Sequence, residues 1–291
     1  MIIKEGLFLE NIIIPDKKKL EHKAEKIKKE GADKLHFLSD FDRTLTYGTI
    51  GREKVPSLIS ILREKNYLDE DYSKRAKELF ARYHPYEIDT NLSREEKVRK
   101  MDDWWRTHKK LLIEKGIRRD HLEKLVKDES IRFRDSVQFF LERISEKNIP
   151  FIVFSASGCG EAVEMFFEEM GVKYPNIYFL VNRFKWDNEG KAIGFKEPFI
   201  HPFSKNERTV KEMPSLYEKV KERKNVVLFG DSLSDVEMIE GFDHDTLLKV
   251  GFLNTDYNGK DREKYEEVYD IVLTGDTDIS ALYENLLEEI I

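Results

Sequence analysis

The sequence predicts an α/β fold: a doubly wound parallel sheet with a helical cap inserted after its first strand. Three observations predict it. Short runs that are apolar on both faces (35–38, 150–154, 177–181, 226–229 and 247–250) alternate with helical patterns, as in a sheet covered on both sides. The stretch from about 50 to 128 is polar, helical and rich in aromatic residues, with no strand pattern of its own. Three of the strand runs end on Asp40, Ser155 and Asp231, at the carboxyl edge where such sheets bind ligands. The expected division is a core of residues 1–50 and 131–291 with a cap of 51–130.

The chain opens with a helix expected over about 16–29 and closed by Gly31. The apolar run Leu35, His36, Phe37, Leu38 then enters Ser39-Asp40-Phe41-Asp42. Inside the inserted stretch, Ser93-Arg94-Glu95-Glu96 reads as a capping box. The helix behind it places Val98, Met101, Trp105 and Leu112 on one face and Trp104, His108 and Leu111 on the next. Val137, Phe140, Leu141 and Ile144 share one face of the helix that leads back into the sheet. A helix over about 161–169 stops at Gly171, and 184–195 forms a hairpin around Asp187-Asn188-Glu189-Gly190. A helix near 212–223 and a last strand near 270–273 complete the expected order.

Composition bounds the function. With 291 residues, 40% of them hydrophobic and including 19 Phe and 12 Tyr, the chain can bury a sizeable core. A net charge of −7 and the lack of a long basic run argue against a nucleic-acid polymer as partner. The single cysteine, Cys159, excludes an intrachain disulfide and suits a reducing compartment. No stretch approaches a membrane span, and 1–10 is too short an apolar run for a signal peptide. A soluble, cytoplasmic monomer with no membrane partner is expected.

The chemistry concentrates at the strand ends. Asp40 and Asp42, two apart on a strand leaving the sheet, can face one site. Asp40 can attack phosphorus as a nucleophile, and Asp42 can serve as acid and then base. Asp40-x-Asp42 alone would also suit an Asx turn, but Thr44-Leu45-Thr46 follows it. Gly230-Asp231-Ser232-Leu233-Ser234-Asp235 adds two carboxylates, so that Asp40, Asp42 and Asp231 offer hard oxygen ligands suited to Mg²⁺. Asp231 or Ser232 would equally suit the N-cap of a helix running through Met238. Ser155-Ala156-Ser157-Gly158-Cys159-Gly160 resembles a phosphate cradle, with Cys159 a turn residue rather than a nucleophile. Lys205, in His201-Pro202-Phe203-Ser204-Lys205, is the chosen cation.

Asp-x-Asp-x-Thr, Ser, Lys and Gly-Asp-x-x-x-Asp in this order resemble the haloacid dehalogenase-like phosphatases. Further segments, including Gly194-Phe195-Lys196, Phe203-Ser204-Lys205 and Leu248-Lys249-Val250-Gly251-Phe252-Leu253-Asn254, resemble the cytosolic 5′-nucleotidase III (pyrimidine 5′-nucleotidase) family from about 32 to 286. The resemblance implies a Rossmann-like core with a helical cap, a Mg²⁺ cofactor and an aspartyl-phosphate at Asp40. It implies Mg²⁺ held by Asp40, Asp231 and the backbone carbonyl of Asp42, with Asp235 close by. Ser155, Ala156 and Lys205 would bind phosphate. Tyr86-Glu87-Ile88-Asp89 resembles the segment holding the nucleobase, which puts Glu87 in that role. Trp104 and Trp105 either stack on the base or fill the cap, and a polar residue at Thr107 or His108 follows them. The turn after Ser155 is one residue longer than the family's, and 48–68 matches poorly. The implied substrate is a nucleoside 5′-monophosphate of pyrimidine or 7-methylguanosine type. The alternatives are a phosphatase for another small ester, such as a sugar phosphate or phosphoserine, and a catalytically silent phosphate-binding module.

Overall fold

The structure, a computed structural model, describes residues 10–51, 53–89, 91–205, 213–240, 243–255 and 259–291. Most of the chain's first ten residues therefore lie outside the described part.

Helix α1 (Lys17–Glu30) begins where the Asp16 side chain accepts the amide of Lys19 at 2.9 Å. Such a cap is worth about 1 kcal/mol. Leu20, Ala24 and Ile27 form its buried stripe, and Gly31 ends it at φ +82°. Strand β2 (Leu35–Ser39) is buried throughout, as are β5 (Phe151–Ser155) and β9 (Asn225–Gly230). With β1 (Ile12–Ile13), β6 (Ile177–Val181), β10 (Thr246–Leu253) and β11 (Ile271–Thr274) they form one seven-stranded sheet, in the order β1-β11-β10-β9-β2-β5-β6. Every pairing is parallel except β1 with β11.

Alternation sorts the strands' side chains onto two covered faces. Phe37, Phe151, Val153, Val227 and Phe229 belong to one apolar cluster, while Leu38, Ile152, Phe154, Val226 and Leu228 belong to another. Each such side chain contributes roughly 1.5–3 kcal/mol by leaving water. The first face is covered by α1, α6 (Val137–Glu146), whose Val137, Phe140, Leu141 and Ile144 are all buried, and α7 (Glu161–Glu169).

Helices α2 (Leu58–Glu64), α3 (Glu70–Ile88), α4 (Arg94–Glu114) and α5 (Arg119–Val126) lie between β2 and β5 in the chain. The Ser93 capping box is present at the start of α4. The first cluster continues without a break into Leu58, Ile61, Leu62, Leu111, Leu112, Leu122 and Leu125. The helical stretch therefore shares an apolar core with the sheet, and α5 packs on α7. It also holds a short strand that the polar sequence hid: β3 (Thr49–Ile50) pairs antiparallel with β4 (Glu53–Lys54). The expected hairpin forms as β7 (Phe184–Trp186) and β8 (Ala192–Phe195). Its turn reaches the start of α5, where Arg119 N–H donates to Gly190 O at 3.0 Å.

Two expectations change. The helix near 212–223 is shorter, Pro214–Val220, and residue 212 lies outside the described residues. The helix through Met238 is a short 3₁₀ turn, Asp235–Ile239, and neither Asp231 nor Ser232 caps it. The Asp235 carboxylate instead accepts the amides of Asp231 and Ser232 at 3.1 and 2.9 Å, so it closes the loop from below.

Candidate active site

Register brings the strand ends to one level. Ser39 lies opposite Phe229 on β9 and Val153 on β5. Asp40 thus leaves the sheet between the loops that carry Asp231 and Ser155, and its amide donates to Phe229 O at 3.0 Å. The order places β2 between β5 and β9, where successive connections leave in opposite directions and a crevice opens.

Asp40, Asp231 and Asp235 each offer a carboxylate oxygen within 4.8 Å of the others. Lys205, 7% exposed, joins them: its Nζ donates to Asp40 Oδ1 and, at 3.2 Å, to Asp235 Oδ1. Thr44 Oγ1 donates to Asp40 Oδ2 at 3.3 Å. Burial pushes Asp40 up to about 7, opposed by the Lys205 charge and reinforced by Asp235. Burial, then the neighbouring Asp40 and Asp235, raises Asp231 well above the usual carboxylate range. Burial works against the Lys205 charge, but the carboxylates of Asp235 and Asp40 outweigh it and hold its pKa above the ordinary lysine value. Three close carboxylates, two of them buried and one half-buried, beside one lysine are short of positive charge. An oxygen donor set of this kind fits a hard divalent cation.

The Asp42 side chain does not join this group. Its Oδ1 accepts the amide of Leu58, the first residue of α2, at 3.0 Å. Burial raises its pKa, opposed by that hydrogen bond. The chain turns between these carboxylates and Thr44 through Arg43 at φ +64°, a conformation that costs a non-glycine residue about 1–2 kcal/mol. Arg134, 1% exposed, holds the turn: its guanidinium donates to Thr44 O and Arg43 O, both at 2.9 Å, to Thr277 O at 2.6 Å and to Asn254 Oδ1. Gly230 is required where it stands, since a Cβ there would lie 2.4 Å from Asp235 Cβ.

The loop after β5 is pinned from behind. Ser157 N–H donates to Ser155 Oγ at 3.1 Å. Ala156 O accepts Trp105 Nε1 at 2.8 Å and Asn182 Nδ2 at 3.3 Å. Gly160 lets Asn182 approach, because a Cβ would come within 2.6 Å of the Asn182 nitrogen. Cys159 is buried, and burial pushes its thiol up to about 12, far from a thiolate nucleophile.

The remaining candidates sit on α3 and α4. His108 stacks on Tyr72 and shares a hydrogen bond with its hydroxyl at 3.1 Å. It borders the loop after β5, with Nδ1 3.9 Å from where a Gly158 Cβ would stand. Trp104, 8% exposed, packs in a satellite cluster with Tyr83 and Met101, its ring stacked on Tyr83. The core-filling alternative describes Trp104 better than a stacking platform does. Glu87, its side chain 26% exposed, pairs with His84 Nδ1 at 2.9 Å.

Thr44 belongs to the sequence motif after Asp42, but Arg134, Lys109 and Asn182 were not singled out from the sequence. A signal existed for Asn182: it directly follows the strand 177–181, as Ser155 ends its own apolar run. Arg134 sits in Arg132-Phe133-Arg134-Asp135, where nothing marks one arginine as buried.

A mostly parallel sheet whose carboxyl edge gathers an aspartate pair after β2, two further carboxylates and a buried lysine has the residue types that phosphoryl chemistry needs. Residues 43–291 match the family described as pyrimidine 5′-nucleotidase (UMPH-1). The 7-methylguanosine phosphate-specific 5′-nucleotidase B of Xenopus laevis is 33% identical over 268 residues, covering 92% of this chain and 91% of the relative. The corresponding Homo sapiens enzyme is 32% identical over 266 residues, covering 91% and 87%. A crystal structure of cytosolic 5′-nucleotidase IIIB bound to cytidine superposes with a TM-score of 0.88 at 28% identity, covering 98% of this chain and 95% of that one. The chain belongs to the pyrimidine 5′-nucleotidase family and is a phosphoric monoester hydrolase. The family match begins just after Asp42, so the Asp40–Asp42 pair stands on its geometry. No helix among the described residues is long and apolar enough to cross a membrane.

Proposed function

We propose that this enzyme hydrolyses nucleoside 5′-monophosphates of pyrimidine or 7-methylguanosine type through an aspartyl-phosphate on Asp40. The observation that carries the reading is the meeting of Asp40, Asp231, Asp235 and Lys205 at the carboxyl edge of the sheet. The likeness to a cytidine-bound nucleotidase and to 7-methylguanosine phosphate-specific relatives supports the choice of substrate.

In this reading an Asp40 oxygen attacks phosphorus and the bond to the ester oxygen breaks. Asp42 gives its proton to the leaving 5′-oxygen, and burial, which raises its pKa, favours the protonated acid that the step needs. Asp42 then takes a proton from the water that cleaves the acyl-phosphate, releasing inorganic phosphate. Lys205 neutralises Asp40 and the incoming phosphate, while Ser155 and the amides beside Ala156 hold the phosphate oxygens. Asp40, Asp231, the Asp42 carbonyl and Asp235 would hold Mg²⁺, which when bound offsets the repulsion between carboxylate and phosphate. Residues 51–130 act as a cap, with Glu87 and His108 facing the base. The enzyme works as a cytoplasmic monomer.

The test is phosphate release from a panel of nucleoside monophosphates, sugar phosphates and phosphoserine with Mg²⁺ present. Preference for a pyrimidine or 7-methylguanosine monophosphate is expected. Equal or better turnover of a sugar phosphate or phosphoserine would favour the second reading, which the pairing of Glu87 with His84 keeps open.

A further inference from the structure

One buried cation lies outside the chemistry described so far. Lys109 on α4 is 2% exposed and, among the described residues, has no carboxylate within 4.0 Å. Its Nζ donates to Asn182 Oδ1 at 2.9 Å and lies 3.3 Å from the centre of the Phe199 ring. Burial lowers its pKa to about 7, so its charge is held at a cost. A methionine or leucine would fill the same space without that cost, and the side chain's polar contact therefore calls for a reason.

Asn182 supplies one, because its amide is fully engaged. Nδ2 donates to Ala156 O at 3.3 Å, Ser157 O at 3.1 Å and Ile200 O at 2.8 Å. Oδ1 accepts Ile200 N–H at 3.0 Å together with Lys109. The side chain thus joins the loop after β5 to the segment that leads through His201 to Lys205. A cation on Oδ1 fixes which end of the amide is the donor, and so turns Nδ2 toward the two loop carbonyls. Trp105, one helical turn before Lys109, donates to the same Ala156 carbonyl at 2.8 Å. Across a trans peptide, holding the Ala156 carbonyl on one side sets the Ser157 N–H on the other.

We infer that Lys109 and Trp105, acting through Asn182, are positioning residues that set the phosphate loop from helix α4, so that the helix carrying His108 also fixes the Ala156–Ser157 peptide. The inference rests on the reading of Ser155–Ser157 as the phosphate loop. It places the residue proposed to face the base and the residues that set the phosphate loop on one helix. Neither residue touches the reacting atoms.

The experiment compares wild type with Lys109→Met, Trp105→Phe and Ser155→Ala, with Mg²⁺ throughout. It measures inhibition by inorganic phosphate, kcat and KM for a nucleoside monophosphate and for an aryl phosphate, and the melting temperature. Lys109→Met and Trp105→Phe should each lower kcat about tenfold for both substrates and weaken phosphate inhibition by a similar factor, as misplacement of a binding group does. The double variant should lose little more than either single one, because both act on one peptide. Trp105→Phe keeps the ring and guards against a Lys109→Met that fails to fold. If Ser155→Ala impairs phosphate inhibition while folded Lys109→Met and Trp105→Phe leave it and kcat unchanged, the coupling is refuted and the phosphate loop stands. If Ser155→Ala also changes neither quantity, the phosphate-loop reading itself fails and takes the inference with it.

Discussion

The carboxyl edge of the sheet and the helices α3 and α4 hold their candidate residues by opposite means. At the edge, Asp40, Asp231, Asp235 and Lys205 come from three separate loops and meet, the three carboxylates lying within 4.8 Å of one another and Lys205 bonding to two of them. On the helices, Trp104 is stacked on Tyr83, His108 on Tyr72, and Glu87 is paired with His84. Buried like charges persist only where a partner of opposite charge is supplied. The edge therefore announces its need for a cation. Stacked rings and a paired, half-exposed carboxylate are content without a ligand, so the helices announce nothing about the base.

The sharpest way to break this contrast is at Asp40. Asp40→Asn should cut phosphate release by about 10⁴-fold or more, because the proposed nucleophile is lost while its shape is kept. A chelator should likewise abolish turnover until Mg²⁺ is restored. An Asp40→Asn enzyme with appreciable turnover would remove the edge from the chemistry. On the helices the largest effect should be on stability. Trp104→Ala should cost about 3–5 kcal/mol in urea unfolding, the price of emptying a buried indole site. A small loss of stability with a large rise in KM for nucleotides would instead make Trp104 a stacking platform.

Glu87→Ala should lower kcat/KM for a nucleoside monophosphate by about 10–100-fold, the effect of one unmade charged hydrogen bond. Aryl phosphate turnover should stay within about twofold of wild type, since neither metal nor phosphate loop is touched. Equal losses on both substrates would return Glu87 to the surface. The smallest expected effect concerns the ends of the helical segment. Burial works against the Asp128 charge, but hydrogen bonds from Lys65, Ser130 and Tyr67 outweigh it and lower its pKa to about 2. A lowered carboxylate stabilises the fold above the unfolded value near 4, and that contribution disappears as the pH falls through about 2. Asp128→Asn should therefore lower the melting temperature by about 2–4 °C at pH 7 and by less near pH 2.5, modestly because Lys65 is half exposed. An equal shift at both pH values would mean that the pair contributes packing rather than charge.

The legible parts of the site are those that chain-local geometry assembles. Asp40 and Asp42, Gly230 to Asp235 and Ser155 to Gly160 each lie within one loop at the end of an apolar run, so alternation and glycine placement announce them. Lys205 was reached by its position between strands and by resemblance; its contact with Asp40 crosses 165 residues. Asp42's bond to the α2 terminus, Arg134's grip on the Arg43 turn and Lys109's reach to Asn182 carry no local pattern. Trp104 and Trp105 show the limit well. They are neighbours in sequence, yet one packs in the cluster between α3 and α4 and the other donates to the Ala156 carbonyl.

The sequence by itself determined the parallel strands, most of the helices between them and which loops carry carboxylates, because backbone periodicity and the burial of apolar side chains act over a few residues. The tertiary structure alone decided which of fifty lysines and arginines are buried. It also decided which face of α4 meets the loop after β5 and how β1 closes the sheet's edge against β11. Those outcomes depend on contacts between segments more than fifty residues apart. A charged side chain's cost or benefit is settled only by what finally surrounds it.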